Sequence, residues 1–180
     1  IVFSLSGLFF MVPLGLGMAT AIRVGFGVGS RDYAAAQFSG RVALLTSLVF
    51  GVVTVLILLL FGPWLIGLYS TEAAVIATGS SLLAIVVFYQ VFDNVQVIAM
   101  GALRGYKDTA KPFYLAFCCY WMIGFPVAWM LGFGYFEAFD YGIHGYWSGL
   151  AIGLVIAALL LSGRFHMISQ RFLSDGKAAS

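Results

Sequence analysis

The chain has 180 residues, of which 62% are hydrophobic and only 9% are charged, and its mean hydropathy is +1.03. An ordinary soluble domain is about 25% charged, so this composition excludes a soluble globular domain and indicates a protein of the lipid bilayer. The small formal net charge of +2 gives no reason to expect a nucleic-acid partner.

Five apolar stretches are long enough to cross a membrane, because a spanning helix needs about 20 residues. In chain order they cover about residues 1–27, 42–69, 75–103, 112–135 and 142–164, and short polar joints separate them. Many of the 22 glycines fall inside these stretches, which is common in membrane helices. The predicted fold class is all-α: a polytopic membrane helix bundle that occupies the whole chain, 1–180, without a soluble domain.

The positive charges predict the orientation of the bundle. When the five spans alternate in direction, all nine basic residues fall on one side: Arg23, Arg31, Arg41, Arg104, Lys107, Lys111, Arg164, Arg171 and Lys177. The joints on the opposite side carry Glu72, Glu137 and Asp140. Lys and Arg mark the cytoplasmic face of a membrane protein, so we expect the C-terminus to be cytoplasmic.

The start of the chain predicts that it is part of something larger. The sequence begins without Met, directly in apolar residues, and has neither the charged n-region nor the cleavage site of a signal peptide. An odd number of spans that starts in mid-helix is typical of the C-terminal part of a larger protein.

Glycine and proline positions predict how the spans pack and bend. Small residues recur every four positions in the fourth and fifth spans, and also as Gly25/Gly29 and Gly101/Gly105. Such rows let helix backbones approach closely, either as fixed packing or as surfaces that slide. Pro126 and Pro13 lie well inside spans, where the missing N–H favours a kink, and we expect hinges there.

Asp93 is the residue that most strongly indicates function. It lies in the run from Ala73 to Leu103, where it is the only charged residue. Counted from Arg104, eleven residues place its carboxyl about 16 Å deep, near the middle of the hydrocarbon core. A carboxylate at that depth costs about 2.5–3.5 kcal/mol or more, so it is expected to face a cavity or a partner.

The residues around Asp93 form a polar stripe. Tyr89, Asp93, Gln96 and Met100 follow one helical face, and Asn94 flanks it together with Gln90. This spacing predicts a cavity lined by a carboxylate, a phenol and amides, with Gln96, Asn94 and Met100 on a substrate pathway. The alternative is a structural cluster whose amides hold helices together.

The chain resembles the multidrug and toxic compound extrusion (MATE) family, most closely its bacterial cation-coupled branch. The residues FYQVFD at 88–93 and GALRGYKDT at 101–109 are similar to the tenth helix and the following loop of that family. MVPLGLGMA at 11–19 with IRVG at 22–25 is similar to the eighth helix, GFP at 124–126 to the eleventh and GYWSGL at 145–150 to the twelfth.

This resemblance implies that the five spans are helices eight to twelve of a twelve-helix, two-lobe exporter in the bacterial inner membrane. The absent partners would be the N-terminal lobe and the seventh helix. It also implies that Asp93 binds the coupling Na⁺ or H⁺ with Tyr89, and that Phe10 lines the same cavity. Two departures exist: the acid that relatives carry on the seventh helix is outside this chain, and Met100 stands where some relatives have His.

The mechanism expected from these features is antiport. A proton, Na⁺ and a small organic cation compete for one carboxylate, so entry of the coupling ion displaces the drug by alternating access. No cofactor other than the coupling ion is expected.

Other functions are weaker interpretations of the same sequence. A flippase of lipid-linked saccharides from the same superfamily is the first alternative, and it would need a basic cavity for pyrophosphate. Cys118 and Cys119 are adjacent and do not have zinc or redox spacing, and His144 and His166 lie in joints. We therefore expect no metal site and no catalytic residues, and an intramembrane enzyme is the second alternative. A purely structural subunit would leave Asp93 unexplained.

Overall fold

A computed structural model describes residues 2–69, 71–133 and 142–178. The described residues form helices joined by short turns: α1 (Val2–Gly29), α2 (Tyr33–Gly67), α3 (Ala73–Gly105), α4 (Ala110–Cys118), α5 (Phe125–Gly132) and α6 (Gly142–Ala178). A π-helical turn, Cys119–Gly124, joins α4 to α5, so these three segments run on as one rod. The acidic residues Glu137 and Asp140, expected in the last joint, lie outside the described residues.

The described part of the chain contains five helical stretches long and apolar enough to cross a membrane, which confirms the all-α membrane fold. Two helices are much longer than the predicted spans. α2 begins at Tyr33 instead of residue 42, and α6 continues to Ala178 instead of ending at 164. The difference has a simple physical reason: hydropathy locates the part of a helix inside lipid, whereas the helix itself continues through charged residues such as Arg41 and Arg171.

The joint between α1 and α2 is correspondingly short. Arg31 turns the chain with a φ of 62°, a left-handed conformation that a non-glycine residue rarely adopts. Asp32 then caps α2, because its side chain accepts a hydrogen bond from the backbone N–H of Ala35 at 2.9 Å. Three residues therefore suffice to reverse the chain.

α3 lies at the centre of the bundle, in contact with α1, α2 and α6. Its two ends enter separate hydrophobic clusters. The first, the Leu83 cluster, contains Leu58, Ile66, Leu82, Leu83 and Val86. The second, the Leu103 cluster, contains Val24, Ala36, Ala99, Ala102, Leu103, Tyr106, Leu161 and Phe165. Asp93 lies on the stretch of α3 between them.

An ion pair and a group of packed aromatic rings close the Leu103 end of the bundle. Arg164 of α6 donates to Asp108, in the turn after α3, at 2.6 Å. Burial raises the pKa of Tyr106 to about 12, although the nearby Arg41 guanidinium acts in the opposite direction. The phenol is therefore neutral at physiological pH and packs as a hydrophobic ring beside Phe165 and Phe172.

Several of the predicted glycine rows lie at close helix contacts. A Cβ added at Gly101 of α3 would collide with the carbonyl oxygen of Gly17 in α1. A Cβ at Gly149 of α6 would collide with the backbone of Ala128 in α5, and one at Gly153 would lie 2.8 Å from Gly124 Cα. Gly29 is different, because a Cβ there would meet nothing within 4 Å.

The two prolines predicted to form hinges occupy different surroundings. Pro13 is fully buried inside α1. Pro126 lies in the first turn of α5, directly after the π-helical turn, in which the N–H of Phe125 bonds to the carbonyl of Tyr120 five residues earlier. Since Pro126 has no N–H and its ring would crowd a regular helix, the wider π turn is a local solution to that conflict.

The rod from α4 to α5 carries a ladder of aromatic rings on an exposed face. Neighbouring rings four residues apart have centroids 4.5–6.3 Å apart, along the series Phe113, Phe117, Trp121, Phe125, Trp129 and Phe133. The ladder passes the π-helical turn without a break. It gives this rod a continuous apolar surface of the kind that faces lipid.

Candidate functional site

A cavity of about 450 Å³ lies beside the middle of α3, among α1, the π-helical turn and α6. The lining residues are Ser6, Gly7, Phe10, Tyr89, Asp93, Tyr120, Trp147, Leu150, Ala151 and Leu154. Its volume lies in the range that holds small organic ligands, about 300–1,000 Å³. The lining combines one carboxylate, three hydroxyl groups and a largely aromatic and aliphatic wall.

Asp93 and Tyr89 lie one helical turn apart on α3, and both face this cavity. The structure therefore brings together the two residues assigned to cation binding, and it adds Phe10 of α1 beside them. Asp93 is the only acidic residue of the described cavity wall. An oxygen-rich set of a carboxylate and hydroxyls suits a hard cation such as Na⁺, or a proton, better than a transition metal.

Tyr89 is held from two sides. Its hydroxyl lies 3.1 Å from Ser6 Oγ on α1, within hydrogen-bonding distance, and either atom can donate. Its ring stacks on Trp147 of α6, with centroids 6.0 Å apart and an interplanar angle of 13°. These contacts fix the phenol next to Asp93 and connect three helices at the level of the carboxylate.

Trp147 and Tyr120 line the cavity but were not singled out from the sequence. Trp147 belongs to a stripe with Leu150, Ala151 and Leu154, which repeats at helical spacing along α6. That periodicity was available in the sequence as a signal for an inward face. Tyr120 had no such signal, because its direction depends on the π-helical turn that contains it.

Gln96 reaches the site indirectly. Its side chain is 6% exposed and does not line the cavity, but its Oε1 accepts a 2.7 Å hydrogen bond from the Tyr120 hydroxyl. This bond ties α3 to the rod formed by α4, the π turn and α5. Gln96 therefore supports the cavity wall from behind.

Asn94 and Met100, also assigned to the substrate pathway, lie elsewhere. Asn94 is fully buried against Gly51 of α2, and Met100 packs on the Leu103 cluster. The structure therefore does not bring either residue to the cavity wall. The physical reason is helix rotation: Asn94 is one residue past Asp93, about 100° around the helix, and that face of α3 meets α2.

The histidines and cysteines lie apart from this site. His144 Nε2 is 2.9 Å from Ser81 Oγ, toward the end of α3 opposite the Leu103 cluster. In the rod from α4 to α5, Cys118 is exposed and Cys119 is buried. Within the described residues, no three His, Cys, Asp or Glu side chains form a group that could hold a metal ion.

Comparison with known proteins places the chain beside membrane transporters. The model of the MatE family matches residues 1–130. A probable multidrug resistance protein NorM of Idiomarina loihiensis is 39% identical over 172 residues, which cover 96% of this chain and 37% of that protein. A multidrug resistance protein MdtK of Proteus mirabilis is 35% identical over 171 residues, 95% of this chain and 37% of that protein. The chain thus spans somewhat more than a third of the length of these relatives.

Solved structures show the same arrangement of helices. The eukaryotic MATE transporter AtDTX14 superposes with a TM-score of 0.83 at 21% identity, over 97% of this chain and 39% of that one. An inward-facing multidrug resistance MATE family transporter of the MOP superfamily gives a TM-score of 0.82 at 18% identity, over 96% of this chain and 39% of that one. At these identities the likeness concerns the fold alone.

Proposed function

The chain belongs to the MATE (MatE) family of membrane transporters, and from this membership we propose that it forms the larger part of the C-terminal lobe of a multidrug exporter. The exporter would take up small organic or amphiphilic cations and release them outside in exchange for Na⁺ or H⁺. Relatives described as multidrug resistance proteins support the first part of this proposal. The missing N-terminal lobe and seventh helix would complete the transport path.

The observation that carries the proposal is Asp93, at mid-membrane depth on the wall of a 450 Å³ cavity with Tyr89 at its side. Such a carboxylate attracts a cation more strongly than a carboxylate exposed to water does, because protein and lipid screen the charge poorly. Proton, Na⁺ and drug compete for it, and the competition couples ion entry to drug release. One charge that crosses 100 mV contributes about 2.3 kcal/mol, enough for roughly a fifty-fold concentration ratio.

The aromatic wall supports an organic cation as the exported substrate. Trp147, Tyr89, Tyr120 and Phe10 surround the space next to the carboxylate. A delocalised cation over an aromatic face gains about 0.5–2 kcal/mol, and a flat apolar body gains more from burial. A carboxylate with this lining favours a positive substrate over the pyrophosphate of a lipid-linked saccharide, so a flippase is the less favoured function.

Alternating access requires the helices around the site to move. Backbone hydrogen bonding departs from a regular α-helix at the π-helical turn with Pro126, and it is interrupted within α1 at the buried Pro13. We place the hinges there. The charge distribution supports a bacterial inner-membrane location with the C-terminus in the cytoplasm.

The test is the variant Asp93→Asn in the full-length exporter, expressed in a strain without other efflux pumps. We expect the protein to reach the membrane at the normal level and to lose export of ethidium, because the neutral amide can neither exchange a proton nor attract a cation. Fluorescence of loaded cells measures export. Asp175→Asn, an exposed acid at the end of α6, is the matched control and should export normally. Normal export by Asp93→Asn would remove this carboxylate from the mechanism.

A further inference from the structure

A second polar site lies on the side of α3 that faces away from the cavity. Gln90 and Asn94 project from α3 toward α2, where Thr54 is located. Their side chains are 1%, 0% and 1% exposed, respectively, so they are shielded from both lipid and solvent. None of the three belongs to the cavity that contains Asp93.

Contacts between α2 and α3 place these side chains at neighbouring levels. A Cβ added at Gly51 would lie 3.3 Å from Asn94 Nδ2 and 3.2 Å from Val91 Cα. Further along, Gly62 meets Leu83 and Gly79 meets Ile66, so the two helices run antiparallel. Three residues forward on α2, from Gly51 to Thr54, therefore correspond to three or four residues backward on α3. This register places Thr54 level with Gln90, one helical turn from the level of Asn94.

Five polar atoms of this group have no hydrogen-bond partner in the described part of the chain: Thr54 Oγ1, both terminal atoms of Gln90 and both of Asn94. Buried amides and hydroxyls are normally paired, and lipid offers them nothing. Ser47, two turns earlier on the same face of α2, shows the usual solution, because its hydroxyl donates to the Leu44 carbonyl at 2.7 Å.

We propose that Thr54, Gln90 and Asn94 form a binding site for ordered water between α2 and α3. The three side chains offer both donors and acceptors, and water can satisfy both kinds, with two to four hydrogen bonds per molecule. A cation would pair only with the oxygens and would leave the amide N–H groups unpaired. The three side chains are also neutral, so they would not balance the charge of an ion.

The site gives α3 two different kinds of contact. Against α1, α3 packs by direct backbone approach at Gly101 and Gly17. Against α2, Gly51 also packs closely on the Val91 backbone, and beside that contact water joins the two helices through hydrogen bonds that can exchange as they shift. The helix that carries Asp93 can thus change its position relative to α2 without the loss of a fixed side-chain bond.

The experiment compares the wild-type full-length exporter with Thr54→Val and Thr54→Ser. A crystal structure in which waters are resolved should show density at hydrogen-bond distance, about 2.7–3.2 Å, from Thr54 Oγ1 and from an amide of Gln90 or Asn94. Thr54→Val should lose that density and lower the apparent Tm by a few degrees, and Thr54→Ser should restore both. Thr20→Val is the matched control, because this buried hydroxyl already donates to the Leu16 carbonyl at 2.7 Å.

Two outcomes would overturn the proposal. An unchanged or higher Tm of Thr54→Val, with no density in the wild type, would show a dry interface. A Tm that rises with NaCl but not with choline chloride would indicate a cation. For that conclusion, the rise must persist in the Asp93→Asn variant and disappear when Thr54→Val is added to it. The Asp93→Asn background separates this site from the one proposed for the coupling ion.

Discussion

Tyr120 joins two walls of the cavity through one hydrogen bond, and its loss should be measurable. We expect Tyr120→Phe to destabilise the full-length exporter by about 1 kcal/mol, because buried Gln96 loses its donor while the ring stays in place. Apparent Tm, or unfolding in denaturing detergent, gives the measurement. Tyr114→Phe, on the exposed face of the same rod, should have no effect.

A double-mutant cycle gives this prediction its sharper form. In a Gln96→Met background, Tyr120→Phe should cost much less than it does in the wild type, because the acceptor is already absent. Equal costs in the two backgrounds would mean that Tyr120 contributes through ring packing and not through Gln96.

Single residues also show how far the sequence could predict the site. Asp93 and Tyr89 were predictable, since a charge at mid-membrane depth must face inward and its neighbour one turn away follows. Phe10, on α1, was assigned from the resemblance to the MATE family. Asn94 and Met100 were assigned to the same path, but their surroundings depend on which helix covers each side of α3. Tyr120 was missed because an aromatic residue in a membrane helix faces lipid as readily as it faces a cavity. Trp147 was missed although its periodic stripe along α6 indicated an inward face.

At the scale of helices, backbone contact between α1 and α3 sets the position of the Asp93 helix. Gly101→Ala would place a methyl group against the Gly17 carbonyl, and such overpacking costs about 1–3 kcal/mol. We expect a lower apparent Tm and reduced export, because α3 must move away from α1. Size-exclusion chromatography after heating, together with ethidium efflux, measures the two effects.

Gly15→Ala provides the matched control on α1. A Cβ there meets nothing within 4 Å, so stability should be unchanged or slightly higher, in line with the better helix propensity of Ala. Similar losses for both variants would show that the contact at Gly101 has no special role.

Helix number and type were predictable from apolar length, while helix ends were not. α2 and α6 run past their apolar segments because Arg41 and Arg171 keep their charges at the surface while the backbone remains helical. The π-helical turn likewise could not be predicted from the sequence. Pro126 predicted an irregularity. A kink, a break and a π turn are all compatible with the missing N–H of a proline, so the sequence does not choose among them.

For the molecule as a whole, the orientation in the membrane is the prediction to test. Single cysteines at Thr71 and Thr109, in the turns before and after α3, should lie on opposite sides once Cys118 and Cys119 are replaced by Ala. We expect a membrane-impermeant maleimide to label Thr71→Cys in intact cells and Thr109→Cys only after lysis. The reverse pattern would contradict the orientation inferred from the nine basic residues.

The contact of α6 with α5 and the π-helical turn has a mechanical consequence for the assembled protein. Gly149 and Gly153 lie directly on the backbones of Ala128 and Gly124, so neither helix can rotate without displacing the other. α6 is unbroken over its 37 residues and continues from this contact to Ala178. It acts as a lever: a tilt of about 5° at the Pro126 level moves its far end by about 3 Å. A small bend deep in the membrane would thereby produce a larger displacement at the water-facing end of α6.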